Sequence, residues 1–162
     1  MDEIVLRAQA KWPGVPDVYG WLSLDRRGRW LLRNPAREIY EPIGNAALRQ
    51  FIARNYSCDA RGRWFFQNGP QRVFIRLAYT PLVVRAHGET LLDQCGRILE
   101  TGDAMLDEEG SVLLPADGSI ALLDDRDLAA YAELQGDAIE RLPRIQSRDV
   151  PGRFSFVLDP AP

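Results

Sequence analysis

The chain has 162 residues, 46% hydrophobic and 27% charged, with a formal net charge of −3, which is the composition of a globular protein able to bury a core. Its two cysteines, Cys58 and Cys95, are too few for a disulfide scaffold. Asp2, Glu3, Arg7 and Lys11 interrupt the apolar residues of the first stretch, which excludes a signal peptide or membrane span there and predicts a cytoplasmic protein without membrane association.

The charge is unevenly spread. Residues 1–86 carry 14 Lys and Arg against 7 Asp and Glu, whereas residues 87–162 carry 6 against 16. Such asymmetry marks either a basic nucleic-acid surface or complementary surfaces that meet within or between subunits. The second reading is favoured, because an acidic chain approaching a polyanion brings its acidic half along.

In chain order, Tyr19–Leu24 reads as a strand entering the turn Asp25-Arg26-Arg27-Gly28, and Arg29–Arg33 as the strand leaving it. Asp opens such a turn by accepting a backbone N–H, and Gly takes the left-handed conformation. Ile43, Ala47, Leu48, Phe51 and Ile52 then share one face of an amphipathic helix, capped at Gly44 or Asn45 and ended at Asn55. The turn recurs at Asp59-Ala60-Arg61-Gly62 and, more loosely, at Asp107-Glu108-Glu109-Gly110. Gly28-Arg29-Trp30-Leu31-Leu32-Arg33-Asn34 is echoed by Gly62-Arg63-Trp64-Phe65-Phe66-Gln67-Asn68. Val73, Ile75 and Leu77 alternate with Phe74, Arg76 and Ala78 as a strand, and Pro81 starts another over Leu82–Ala86. Short strands follow near Gly96–Glu100, Ser111–Leu114 and Ser119–Leu123, with a turn at Asp117-Gly118. Asp124 caps a second helix with the stripe Leu128, Tyr131, Ala132, closed at Gly136. Asp137–Pro162, with four prolines, reads as an extended tail that docks through Phe154, Phe156 and Leu158.

The run from the hairpin at Arg29-Trp30, through Pro42-Ile43-Gly44 and Asp59-x-x-Gly62-Arg63-Trp64, to Gly69-Pro70-Gln71-Arg72-Val73 and Pro81-Leu82-Val83-Val84 resembles the proteobacterial DUF1285 family of unassigned function. The resemblance covers Tyr19 to Val84 and extends more loosely to Gln135. It implies an α+β fold with two structural repeats and a role in signalling or small-ligand binding, and it brings no catalytic residues. The chain departs from the family pattern at Gly69-Pro70-Gln71-Arg72 and at Tyr79-Thr80.

Chemistry-bearing patterns are sparse. The single histidine, His87, must serve any Ser-His-Asp or Cys-His arrangement, and its setting before Gly88-Glu89 reads as a loop. Cys58, His87 and Cys95 lack the close-paired spacing of a zinc site. No phosphate-binding glycine loop occurs. The acidic clusters Asp107-Glu108-Glu109 and Asp124-Asp125 are explained by a turn and a helix start. Arg29-Trp30, Arg63-Trp64-Phe65-Phe66, Arg72-Val73-Phe74 and Arg76 interleave cations with aromatics, as nucleic-acid surfaces do. Alternation along strands, with aromatics inside and arginines outside, is the simpler account.

The expected fold is therefore α+β, two related modules, each a curved antiparallel sheet with one helix. The expected boundaries are an N-terminal segment 1–18, a first module 19–86, a second module 87–136 and a tail 137–162. The expected function is non-catalytic: a regulatory or small-ligand-binding protein, with signal transduction the broad setting and a site in the cleft between modules. Arg72 and Arg76 would grip an anionic group, with Trp30 and Trp64 as apolar walls and Tyr79 beside them. The expected partner is a small anionic ligand or a protein, a second copy of the chain included. No cofactor or metal is expected, and a nucleic-acid-binding module using the basic first half is the alternative.

Overall fold

The computed structural model describes residues 1–162. The chain divides into a first unit of Met1–Asp25, Arg29–Ala78 and Phe156–Pro162 and a second unit of Arg26–Gly28 and Tyr79–Ser155. Both are α+β, and no helix is long and apolar enough to cross a membrane.

The first unit holds β1 (Val18–Leu24), β2 (Trp30–Asn34), β3 (Ile39–Pro42), β4 (Tyr56–Cys58), β5 (Trp64–Asn68) and β6 (Gln71–Leu77). They form one sheet ordered β3-β2-β1-β6-β5-β4. All pairings are antiparallel except β1 with β6, where Leu22 lies opposite Ile75 and Leu24 opposite Leu77. One face carries Leu22, Leu24, Trp30, Phe66, Ile75 and Leu77, all buried. The helix α2 (Ala46–Arg54) covers this face through Ile52, which is 1% exposed, and through Phe51, edge-on to Phe66 at 5.3 Å. Asn45 caps α2 as expected, accepting from Leu48 N–H at 3.0 Å, which satisfies one of the four orphan donors of a helix start.

The N-terminal segment is not a bare lead-in. Glu3–Lys11 forms the helix α1, with Val5 its one buried residue. Asp2 ties it down: its N–H donates to Asn55 Oδ1 at 2.8 Å, and its carboxylate pairs with Arg54 at 3.1 Å. Those partners lie more than 50 residues away, so this tie has no local sequence signal, although Glu3 in the first turn and Lys11 in the last suit a helix.

The second unit holds β7 (Leu82–His87), β8 (Thr90–Asp93), β9 (Met105–Leu106), β10 (Val112–Ala116) and β11 (Ser119–Leu123). Their order is β8-β7-β11-β10-β9, and only β7 with β11 is parallel. β7 belongs here rather than with the residues before it, because Leu82, Val83 and Val84 pair with Ala121, Leu122 and Leu123. The division therefore falls at Ala78–Tyr79, earlier than the turn after Ala86. Gly96–Glu100 makes only an isolated bridge, Leu92 to Ile98, in place of a strand.

The two units repeat one topology. The order β2-β1-β6-β5-β4 matches β8-β7-β11-β10-β9, including the position of the parallel pair. β3 and α2 have no counterpart, since the second unit's helix α3 (Leu128–Gln135) follows its last strand. The match makes the Asp59 turn (β4 to β5) equivalent to the Asp107 turn (β9 to β10). The sequence echo of Trp30 and Trp64 thus relates two hairpins of one sheet, while the duplication of the units is a different and weaker sequence signal.

Asp137–Ser155 is not extended. It forms short 3-10 turns and the helix α4 (Val150–Arg153), with Val150 fully buried. The last residues do dock in the first unit: Phe156 is buried, Val157 N–H donates to Gly62 C=O at 2.9 Å, and Leu158 C=O accepts from Leu77 N–H at 2.8 Å.

Candidate functional site

The five residues expected at a site do not converge. Trp30 and Trp64 are 3% and 9% exposed, with ring centroids 5.0 and 4.7 Å from that of Tyr56. They fill the core of the first unit and cannot wall a ligand. Arg72 and Arg76 share a face of β6, but four strand residues separate their Cα atoms by roughly 13 Å. Arg72 lies on the Phe65 ring at 5.0 Å, and Arg76 pairs with Asp159 at 3.7 Å. The two guanidiniums are thus engaged at separate places. Tyr79 belongs to the second unit, where its buried hydroxyl donates to Asp107 Oδ2 at 2.8 Å.

The arginine-bearing face of the first unit is not purely polar. Phe65 and Phe74 lie on it, Tyr19 stacks on Phe74 at 4.8 Å, and the Arg63 guanidinium covers Phe74 at 4.4 Å. The aromatics therefore occupy both faces, and Arg63 closes this cluster while donating to Asp59.

A recurring clamp holds the hairpin turns. In Asp25/Arg29, Asp59/Arg63 and Asp93/Arg97, the carboxylate accepts from the arginine's own N–H and from its Nε at 2.6 to 2.8 Å, apart from the Arg63 N–H bond at 3.0 Å. The glycine before each arginine, Gly28, Gly62 and Gly96, has φ of 72°, 74° and 78°, a region open to Gly at no steric cost. The third copy, Asp93-Gln94-Cys95-Gly96-Arg97, escaped the sequence reading, although Asp-x-x-Gly-Arg is intact and its 34-residue spacing equals that of the first two. At the Asp107 turn Ser111 replaces the arginine, and the Tyr79 hydroxyl takes the free carboxylate oxygen. Burial, then the Asp107 carboxylate, push the Tyr79 pKa well up, so the phenol stays a donor.

These turns build a groove in the second unit. Arg26 donates to Ser111 Oγ at 2.8 Å, pairs with Glu109 at 3.1 Å and lies over the Tyr79 ring at 4.6 Å. Beside it, Arg27 makes a forked pair with Asp125, its shortest contact 2.7 Å. Leu122, Leu123 and Leu128 line the floor, and the cavity measures about 270 Å³. In the sequence Arg26 and Arg27 are turn residues of the basic first half. Two consecutive arginines at a hairpin tip were the available signal, since a tip presents its side chains outward.

The basic half meets the acidic half here: Arg26, Arg27 and Arg85 pair with Glu109, Asp125 and Asp127. Asp124 is buried, and burial alone raises its pKa. Bonds from the Arg126 guanidinium and N–H outweigh that and hold it at about 2. His87 is exposed at the end of β7, where its backbone C=O accepts from the Thr90 hydroxyl at 2.9 Å. Burial, then Asp93, push the Cys95 thiol to about 12, and burial, then Asp59, push Cys58 to about 11, so both thiols are poor nucleophiles at neutral pH. No three of the chain's His, Cys, Asp and Glu side chains group as a metal site.

The family model DUF2944, described as "Protein of unknown function (DUF2946)", matches residues 1–161, and the chain belongs to that family. No curated protein matches it. A crystal structure of a DUF1285 family protein from Silicibacter pomeroyi superposes with a TM-score of 0.52 at 16% identity, over 78% of this chain and 75% of that one. One from Shewanella baltica gives 0.46 at 17% identity, over 69% and 90%. At these identities the likeness to the first is one of fold.

Proposed function

We propose that this member of the family is a non-catalytic regulatory protein that binds a small anionic ligand in the Arg26–Arg27 groove of its second unit. The observation that carries the reading is the pair of adjacent guanidiniums, each ion-paired with a half-exposed carboxylate over a leucine floor. Arg26, Glu109, Arg27 and Asp125 side chains are 42% to 59% exposed, and exposed pairs contribute only about 0–1 kcal/mol. An incoming carboxylate or phosphate that takes forked bonds from a guanidinium replaces a weak partner. The leucines then favour a ligand with an apolar body.

The nucleic-acid alternative has less support. Arg29, Arg37, Arg54 and Arg63 of the first unit are paired with Asp25, Glu41, Asp2 and Asp59, so phosphate contacts there would have to displace four carboxylates.

The test is a thermal-shift and calorimetric screen with inorganic phosphate, succinate and benzoate on the native chain and on an Arg26→Gln/Arg27→Gln variant. A ligand that binds only the folded state raises the melting temperature by mass action. At least one anion is expected to raise it in the native chain and to lose that effect in the variant. Equal shifts in both proteins, or none in either, would overturn the reading.

A further inference from the structure

A second cavity, in the same unit but lined by different residues, measures about 480 Å³, within the range of small-molecule sites. Leu91, Ala104, Leu114 and Leu142 give it apolar walls. Four polar side chains reach its rim: Thr101 and Asp103 from the segment before β9, and Tyr131 and Gln135 from α3. Residues four apart on a helix share a face, so α3 presents the phenol and the amide together. None of these four side chains makes a hydrogen bond or ion pair within the protein. The Arg26–Arg27 groove differs in this respect, because its charges are spent on one another.

α3 is also lightly held. None of its residues is fully buried, and Leu134 is 85% exposed. Its inward side meets a cavity rather than a packed core, which is where a helix of a globular protein ordinarily buries its apolar stripe. Burial raises the Tyr131 pKa, keeping the phenol neutral, and its oxygen can accept a hydrogen bond from a donor-rich ligand head.

Asp103 is the one charged residue in the lining, and it has no cationic partner. Hydroxyl, amide and carboxylate groups around apolar walls suit a ligand with an apolar body and a donor-rich head. A single uncompensated carboxylate favours a cation and opposes an anion. We infer that this cavity is a binding site for a small apolar molecule bearing an ammonium head group, distinct from the anion groove and opposite to it in charge preference.

The experiment is an NMR titration of the ¹⁵N-labelled full chain with 2-phenylethylammonium, 2-phenylethanol and phenylacetate. Saturable shifts are expected at the amides of Gly102, Asp103, Ala104 and Gln135, with the ammonium binding about tenfold tighter than phenylacetate, the size expected when one exposed carboxylate attracts one probe and repels the other. Asp103 is exposed, so Asp103→Lys leaves the core untouched and is expected to reverse the order. Tyr131→Phe is expected to weaken the ammonium and the alcohol alike. Absence of saturable shifts at these amides for every probe, shifts confined to Arg26 and Arg27, or an unchanged order in Asp103→Lys would overturn the inference.

Discussion

The Tyr79 hydroxyl donates to the buried carboxylate of Asp107 at 2.8 Å, the place that Arg29, Arg63 and Arg97 fill for Asp25, Asp59 and Asp93. Asp107 Oδ1 meanwhile accepts from the N–H groups of Glu109 and Ser111. Tyr79→Phe therefore strands one buried carboxylate oxygen, and is expected to cost about 1–3 kcal/mol. Arg29→Gln, at a turn whose arginine is 58% exposed, is expected to cost no more than about 1 kcal/mol. Urea unfolding of the two variants measures the difference, and equal costs would show that the tyrosine bond does not hold the turn.

Trp30 and Trp64 both pack on Tyr56, so truncating either opens a cavity in a shared cluster. Trp30→Ala and Trp64→Ala are each expected to lose about 3–5 kcal/mol. Because the two residues share a partner, the double variant is expected to differ from the sum of the single ones. Chemical denaturation of the three proteins gives the coupling, and a loss under about 1 kcal/mol from either single change would place that tryptophan outside the core.

Acid lowers stability through Asp124 and Asp127. The folded pKa of Asp124 is about 2 against an ordinary 3.8, and Asp127 moves down too, chiefly through its bond from Arg85. As pH falls past the ordinary value, the unfolded chain takes up protons that the folded chain refuses. The contribution is thus fully present above about pH 4 and is lost as pH falls through the folded values. Asp124→Asn is expected to be less stable at pH 7 and to show a shallower decline between pH 4 and 2. Unfolding free energies across that range decide it, and an unaltered slope would remove Asp124 as a source.

What could be read from the sequence alone has a common physical basis. The turns at Asp25, Asp59 and Asp107, the Asn45 cap and the Asp124 cap are made by bonds between residues no more than four apart. Short polar side chains and glycines at fixed offsets declare such bonds wherever they occur. The strands flanking those turns followed from alternation. The α+β class and the presence of two related units were accordingly visible before any tertiary contact was known.

Tertiary structure alone decided which strands share a sheet and which side chains meet. β7 reads equally well as the last strand of a first module. Its place is set by burying Leu82, Val83 and Val84 against β11, with partners such as Val84 and Leu123 far apart in the chain. Trp30 and Trp64 look like ligand walls or core by residue type, and only the face of the sheet they share with Tyr56 makes them core. The groove at Arg26 and Arg27 depends on Ser111 and Asp125, which lie 85 and 98 residues away. A local pattern carries no record of such partners, because burying two distant surfaces against each other depends on the shape of the folded chain and not on any fixed spacing.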